Sequence, residues 1–127
     1  MLDDPGVTDP DSVRKVVLCS GKVAYDAMAH RDATGTPIAV VRIEQLYPWP
    51  AEQLSEIMAL YPNAETVIWL QEEPANMGPW SYVRGRADEG ALPVRDLVLV
   101  GRPESGSPAC GSLGVHQHEF EQLMAEL

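Results

Sequence analysis

The chain has few of the residues that mark a disulfide scaffold, a metal site or a nucleic-acid-binding surface. Its 127 residues include only two cysteines, Cys19 and Cys110, and no apolar run approaches the ~20 residues of a membrane span. Nine Lys and Arg against nineteen Asp and Glu give a net charge of −10. This balance argues against nucleic acid or an anionic membrane as the main partner, but it does not exclude a local basic pocket. The first residues lack a basic, hydrophobic signal pattern, so we expect a cytoplasmic protein.

Signatures of common nucleotide and hydrolase sites are also missing. The sequence contains no GxGxxG, no GxxxxGK[ST] and no GxSxG. His116 and His118 lie two positions apart at a predicted helix start, where their side chains diverge, and the cysteines lack the spacing of a zinc site. Cys19 ends an apolar run, which favours a buried free thiol. The residues alone therefore predict no catalytic residue and no metal ligand.

What the sequence does contain is a regular alternation of apolar runs and helical patterns. Residues 1–13 are acidic with two prolines and are predicted to form a flexible leader or linker. Over 14–127, strands separated by helices predict an α/β domain whose parallel sheet is covered on both faces. The predicted strands are 15–19, 37–43, 66–70 and 96–100, and the predicted helices are 22–31, 51–61, 77–86 and 114–125.

Polar side chains follow the ends of these four strands. They are Ser20, Lys22, Arg42, Glu44, Gln71, Glu72, Glu73 and Arg102. In a parallel sheet they share one edge, and a helix N-terminus beside hydroxyl, ammonium and guanidinium groups suits a phosphate. The structural alternative is that Ser20 caps the helix while the arginines pair with Glu44 or Glu73.

The segment 71–80, QEEPANMGPW, follows the buried strand 66–70. Asn76 is predicted to cap the next helix, with Pro79 in its first turn. The alternative is a charged loop that only keeps the surface soluble. Candidate interface anchors lie in this segment and in a proline-rich turn. They are Tyr47, Trp49, Trp80 and Tyr82.

Four motifs in a fixed order identify a resemblance. They are CSGK at 19–22, VRIEQLYP at 41–48, QEEPANMGPW at 71–80 and GRPESGSPA at 101–109. Together they resemble the C-terminal domain of the thiamine-diphosphate-dependent 2-oxoglutarate dehydrogenase component, over residues 14–127. The resemblance implies a transketolase C-terminal domain, which is a three-layer α/β/α sandwich with a mostly parallel sheet and one antiparallel edge strand. It implies that thiamine diphosphate and magnesium are bound by other domains of the enzyme and that this chain holds no cofactor.

The resemblance also implies roles for the polar edge. Some relatives carry an allosteric acetyl-CoA site, so Ser20, Lys22, Arg42 and Arg102 become candidates for an acyl-CoA or nucleotide effector such as AMP. The other edge residues are expected at an interface or in a structural role. They are Glu44, Gln71, Glu72, Glu73 and Trp80.

Three functions follow from these features. The first is a non-catalytic regulatory and assembly domain, or split subunit, of a 2-oxoglutarate dehydrogenase of central carbon metabolism, which forms a homodimer or docks on the thiamine-binding domains. The alternative is a free-standing nucleotide or acyl-CoA binding protein that reuses the fold. An independent enzyme using Glu72, Glu73 or His116 has the least support, because no nucleophile–base pair can be named. Excised domain, split subunit and stand-alone protein are all open.

Overall fold

Four parallel strands form the sheet of this protein. The computed structural model describes residues 3–92, 96–102 and 113–127, with only the backbone described at 113–116. The strands, in the spatial order β2-β1-β3-β4, are β1 (Lys15–Cys19), β2 (Ile38–Arg42), β3 (Thr66–Pro74) and β4 (Leu97–Arg102). The helices are α1 (Val23–Thr34), α2 (Ala51–Ala59), α3 (Trp80–Asp88) and α4 (Leu113–Ala125), and a short 3₁₀ turn covers Pro10–Ser12.

The sheet is buried on both faces. Val17 and Cys19 of β1 pack with α1 and α4, whereas Val16 and Leu18 pack with α2 and α3, because successive strand side chains point to opposite sides. Burial on both sides explains why the strands read as continuous apolar runs instead of alternating ones. The predicted three-layer α/β fold with a parallel sheet is confirmed. The antiparallel edge strand has no counterpart in the described residues, where every strand pair is parallel.

The predicted end of β3 and the predicted N-caps of α1 and α3 are wrong. β3 continues to Pro74, so the QEEP residues belong to a strand and not to a loop, because Gln71 is buried and hydrogen-bonded. α1 begins at Val23 with Lys22 as the N-cap residue and no side-chain cap, so Ser20 is not the cap. Likewise Pro79, and not Asn76, occupies the N-cap position of α3.

The N-terminal segment packs on the domain from residue 3 onward. Asp4 is buried and forms an ion pair with Arg31 of α1, and Val13 belongs to the core. The Tyr61 hydroxyl donates to Asp3 Oδ1 at 2.6 Å. Asp3, Asp4 and Val13 thus contact the domain, which the acidic, proline-containing composition of residues 1–13 did not indicate.

The helices are short. The longest of those described, α4, has 13 residues, and a membrane span needs about 20. No helix in the described stretches has the length and apolar character needed to cross a membrane.

Candidate functional site

The polar edge predicted from the sequence exists at the carboxyl ends of the four strands. The connection from β1 to β2 runs through α1 on one face of the sheet, and the connection from β2 to β3 runs through α2 on the other. The helices that follow β1 and β3, which are α1 and α3, lie on opposite faces of the sheet, and in open α/β sheets ligands bind in the crevice at such a switch point. Lys22, after β1, and Glu72, in β3, meet there, with Nζ and Oε1 3.1 Å apart.

Arg42 lies beside this crevice at the end of β2, in register with Cys19 of β1. Its Nη1 donates to the Tyr25 hydroxyl at 2.6 Å, its Nη2 is 3.6 Å from Glu44 Oε1, and its Cζ is 4.9 Å from the centroid of the Tyr25 ring. The guanidinium is therefore held in place by α1 and by its own loop. The pairing with Glu44 is the structural alternative raised from the sequence.

Arg102 is separate from the other two cations. It ends β4 and is buried, with its Nε 3.2 Å from Glu119 Oε2 on α4. β2 and β4 are three strand spacings apart, which is about 14 Å at ~4.8 Å per spacing. The structure therefore places Ser20, Lys22 and Arg42 at or just after the ends of two adjacent strands, and Arg102 away from them.

Gln71 organises the chain that follows β3. Its side-chain oxygen accepts a hydrogen bond from Trp69 Nε1 at 3.0 Å. Its Nε2 donates to the carbonyl oxygens of Glu73, Pro74 and Met77 at 3.2, 3.0 and 2.9 Å. Because Gln71 is only 3% exposed, these bonds are shielded from water. Gln71 therefore has the structural role that the sequence left as one of two options.

The two glutamates after Gln71 point apart. Glu72 turns toward Lys22, whereas Glu73 is exposed and lies under Gly78. Gly78 has φ +67°, and a Cβ there would lie 3.1 Å from the Glu73 side chain. The tight turn between β3 and α3 thus depends on a glycine at this position.

Two of the predicted aromatic anchors are in contact, Tyr47 lies close to Trp49 in the chain, and Trp80 precedes Tyr82 by two positions on α3. The rings of Trp49 and Tyr82 meet edge to face with centroids 6.0 Å apart. Trp49 Nε1 donates to the Ala91 carbonyl at 2.9 Å, and the Tyr82 hydroxyl donates to the Leu46 carbonyl at 3.1 Å. Tyr47 is 80% exposed. The peptide bond between Tyr47 and Pro48 is cis. We call Tyr47, Trp49, Trp80 and Tyr82 the aromatic surface.

Arginines of α3 cover parts of the aromatic surface. The Cζ of Arg84 is 5.9 Å from the Trp80 ring centroid, and that of Arg86 is 5.3 Å from the Tyr82 ring centroid. Trp80 is half-buried. Tyrosine, tryptophan and arginine together are the residues that contribute most to protein interfaces.

Sequence reasoning missed several participants. Tyr25 and Glu119 hold Arg42 and Arg102, and Asp4 holds Arg31. These pairs join residues 17 to 27 positions apart in the chain, so no local pattern contains them. An exposed tyrosine in the first turns of α1 was the one available signal.

The described residues assemble no evident reactive group. Burial raises the pKa of the Cys19 thiol to about 12, although the charge of Arg42 opposes this, so the thiol is neutral and inert near pH 7. No cluster of three or more potential metal ligands occurs in the parts of the chain that the structure describes. Cys110, residues 103–109 of the fourth motif and the side chain of His116 lie outside the described residues.

Comparison with known proteins supports the family resemblance seen in the sequence. The sequence model of the family "2-oxoglutarate dehydrogenase C-terminal" matches residues 1–127. The chain belongs to this family. The 2-oxoglutarate dehydrogenase E1 component of Azotobacter vinelandii is 44% identical over 130 residues, which cover 99% of the chain and 14% of that relative. The E1/E2 component of Corynebacterium glutamicum is 41% identical over 99% of the chain and 10% of the relative.

One further relative and one solved structure extend the comparison. The 2-oxoadipate dehydrogenase complex component E1 of Mus musculus is 40% identical over 93% of the chain and 13% of that relative. A solved structure described as "Split gene transketolase, inactive beta4 tetramer" matches 88% of the chain and 35% of its own, with a TM-score of 0.60 and 21% identity, which supports the fold alone. The chain thus spans about a seventh or less of these curated relatives.

Proposed function

We propose that the chain is the non-catalytic C-terminal assembly and regulatory domain, or a split subunit, of a cytoplasmic 2-oxoglutarate dehydrogenase E1 component. The observation that carries this proposal is the aromatic surface, with Tyr47 80% exposed and the other three aromatics partly exposed, in a chain that is similar over its whole length to part of its E1 relatives. An exposed tyrosine beside partly exposed aromatic rings favours contact with another protein surface. In this proposal thiamine diphosphate and magnesium are held by the rest of the enzyme.

Docking onto the thiamine-binding domains is tested by co-purification. A chain covering those domains of a related E1 component is mixed with the wild type, with Tyr47→Ala and with Leu60→Ala. Leu60 is 51% exposed and lies outside the aromatic surface, so it is the matched control. We expect Tyr47→Ala to weaken association at least ~10-fold, since an anchor contributes ~2 kcal/mol or more, and Leu60→Ala to leave it unchanged.

Two further measurements on these proteins also test the proposal. The isolated chain with added thiamine diphosphate and magnesium is expected to turn over no 2-oxoglutarate, and turnover by the pure chain contradicts a non-catalytic role. A homodimer of the isolated chain that Tyr47→Ala dissociates supports assembly through the same surface. Equal behaviour of all three proteins contradicts it.

A second candidate function is binding of an acyl-CoA or nucleotide effector at the β1–β3 crevice. Ser20, Lys22 and Arg42 line this end of the sheet, and Lys22 is 77% exposed. The glutamates that pair with both cations are at least partly exposed, and exposed ion pairs contribute only ~0–1 kcal/mol. A phosphate group can therefore displace the glutamates at little cost. This observation also fits the alternative of a free-standing acyl-CoA or nucleotide binding protein.

Calorimetric titration of acetyl-CoA and AMP tests the effector site. A charge-assisted hydrogen bond contributes ~1.5–3 kcal/mol, so Arg42→Ala is expected to weaken binding roughly 10- to 150-fold, less at high salt. Arg14→Ala is the control, because Arg14 is exposed and contacts the N-terminal segment through Asp11. Equal affinities for both variants, or no binding by the wild type at millimolar ligand, leave Arg42 as the structural partner of Glu44. Binding without docking to an E1 partner favours the free-standing alternative.

A further inference from the structure

The N-terminal strap, which we define as residues 3–7, lies against the outer edge of β2. β2 pairs with β1 and with no other strand among the described residues. The Ile43 amide donates to the Cys19 carbonyl at 2.8 Å, so the odd-numbered residues of this segment face β1. In a parallel pair alternate residues point both backbone groups the other way, which directs the Val40 N–H and C=O outward.

Asp4 of the strap occupies this outward position. Its Oδ2 accepts the hydrogen bond of the Val40 amide at 2.8 Å and also forms the ion pair with Arg31 Nη1. Its Oδ1 accepts from the Gly6 amide at 2.9 Å. The Asp4 side chain is fully buried and that of Arg31 is 11% exposed. The carboxylate therefore takes the place that a neighbouring strand would take in a larger sheet.

The strap is attached on both faces of the sheet. Arg31 belongs to α1 on one face, and Tyr61, whose hydroxyl donates to Asp3, packs in the core of the other face. Burial and the contact with Asp3 raise the pKa of Tyr61, so its hydroxyl keeps its proton. The strap thus bends around the sheet edge between α1 and the end of α2.

An uncovered β2 would be a strand edge that invites pairing. Residues 38–41 read Ile-Ala-Val-Val and carry no charge, and such edges pair with other strands unless they are blocked. We propose that the N-terminal strap is a cover that blocks β2, latched by Asp4, and that β2 without this cover pairs with β2 of a second copy of this chain.

The geometry of β2 makes this pairing self-complementary. Two copies related by a twofold axis present antiparallel strands to each other. With the axis at Val40, the outward N–H of each Val40 meets the outward C=O of the other, which is the hydrogen-bonded pair of an antiparallel ladder. Ile38 then lies opposite Arg42 of the second copy. The amide that Asp4 now binds is thus the central donor of the pairing.

Hydrogen exchange at the Val40 amide and sedimentation report the two halves of the proposal. Both are measured on the wild type, Asp4→Ala and Asp32→Ala over a range of protein concentrations. Asp32 pairs with Arg31 only at the exposed surface, so its removal leaves the latch intact. Gly6→Val is a second release variant, because a Cβ at Gly6 would collide with the guanidinium of Arg31. It disturbs the strap without removing a buried charge.

In dilute solutions of Asp4→Ala or Gly6→Val we expect the Val40 amide hydrogen to exchange about 10- to 150-fold faster than in the wild type. This factor corresponds to the loss of one hydrogen bond to a charged group. As concentration rises, both variants should dimerise and Val40 should become protected again. The wild type and Asp32→Ala should keep Val40 protected at every concentration. Unchanged Val40 exchange in dilute folded variants overturns the latch. Dimers in which Val40 still exchanges fast, or variants that never dimerise more than the wild type, overturn the pairing through β2.

Discussion

Replacing Gln71 tests whether the motif after β3 is held together by one buried amide. Its two N–H hydrogens serve three carbonyls, and its oxygen serves the indole of Trp69. Gln71→Ala removes about three hydrogen bonds and leaves their partners buried. At ~1–1.5 kcal/mol each, we expect a loss of about 3–5 kcal/mol, a large share of the ~5–15 kcal/mol that stabilises a domain.

Gln71→Glu refines this prediction because glutamate keeps the shape of the glutamine side chain but lacks its N–H donors. A carboxylate would face the carbonyls of Glu73, Pro74 and Met77, so its pKa in the folded state is raised above the ~4.3 of an unfolded glutamate. A group whose folded pKa is raised contributes most at a pH below its unfolded pKa and loses that contribution as pH rises. Gln71→Glu should therefore differ least from the wild type near pH 4 and most near pH 8.

Urea unfolding followed by tryptophan fluorescence measures both variants. With a slope of ~2 kcal/mol per molar urea, Gln71→Ala should lower the midpoint by roughly 2 M. Gln53→Glu is the control, since Gln53 is exposed on α2, and it should shift the midpoint little at any pH. A Gln71→Ala midpoint that does not differ from that of the wild type would refute the structural role assigned to the amide.

Two further predictions concern the backbone and the buried thiol. Gly78→Ala should lower stability by about 2 kcal/mol in the same urea assay, because the new Cβ crowds Glu73 in addition to the strain of a positive φ. Gly21→Ala is the control and should cost only about 1 kcal/mol, because Gly21 has φ +81° but open space where its Cβ would lie. Equal losses of stability would contradict the crowding argument. Cys19 should resist a thiol reagent in the native state and react on unfolding, and rapid native-state labelling at pH 8 would contradict its burial. Because the pKa of Cys19 in the folded state is raised from 9.0 to about 12, the contribution of this thiol to stability should be complete below about pH 9 and decline as pH rises toward 12.

The fold was predictable because its signals are local. The apolar run of β1 has the same bounds in sequence and structure, and the alternation of strands and helices leads directly to a parallel sheet. The placement of all four strand ends at one edge followed from the parallel sheet. Local patterns failed where a distant partner decides the conformation: β3 continues to Pro74, which pairs with Arg102 of β4.

The candidate site was only partly predictable for the same reason. Lys22 and Arg42 were selected as cations near one edge, and they do lie on adjacent strand ends. Their partners Glu72 and Tyr25 come from other elements, so the sequence did not reveal these two contacts, whereas it did raise the pairing of Arg42 with Glu44. Asp4 was assigned to a loose leader because acidic, proline-containing composition carries no information about a buried arginine 27 positions later.

The central position of β1 has a consequence for synthesis of the protein. Lys15 pairs on one side with Ile38, 23 positions later, and on the other with Thr66, 51 positions later. The two loop lengths differ in closure entropy by only ~0.7 kcal/mol, so the order in which the strands leave the ribosome decides which pair forms first. A nascent chain that has not reached β3 holds a two-stranded apolar ribbon with β1 unpaired on its inner side, which is the kind of surface that chaperones protect.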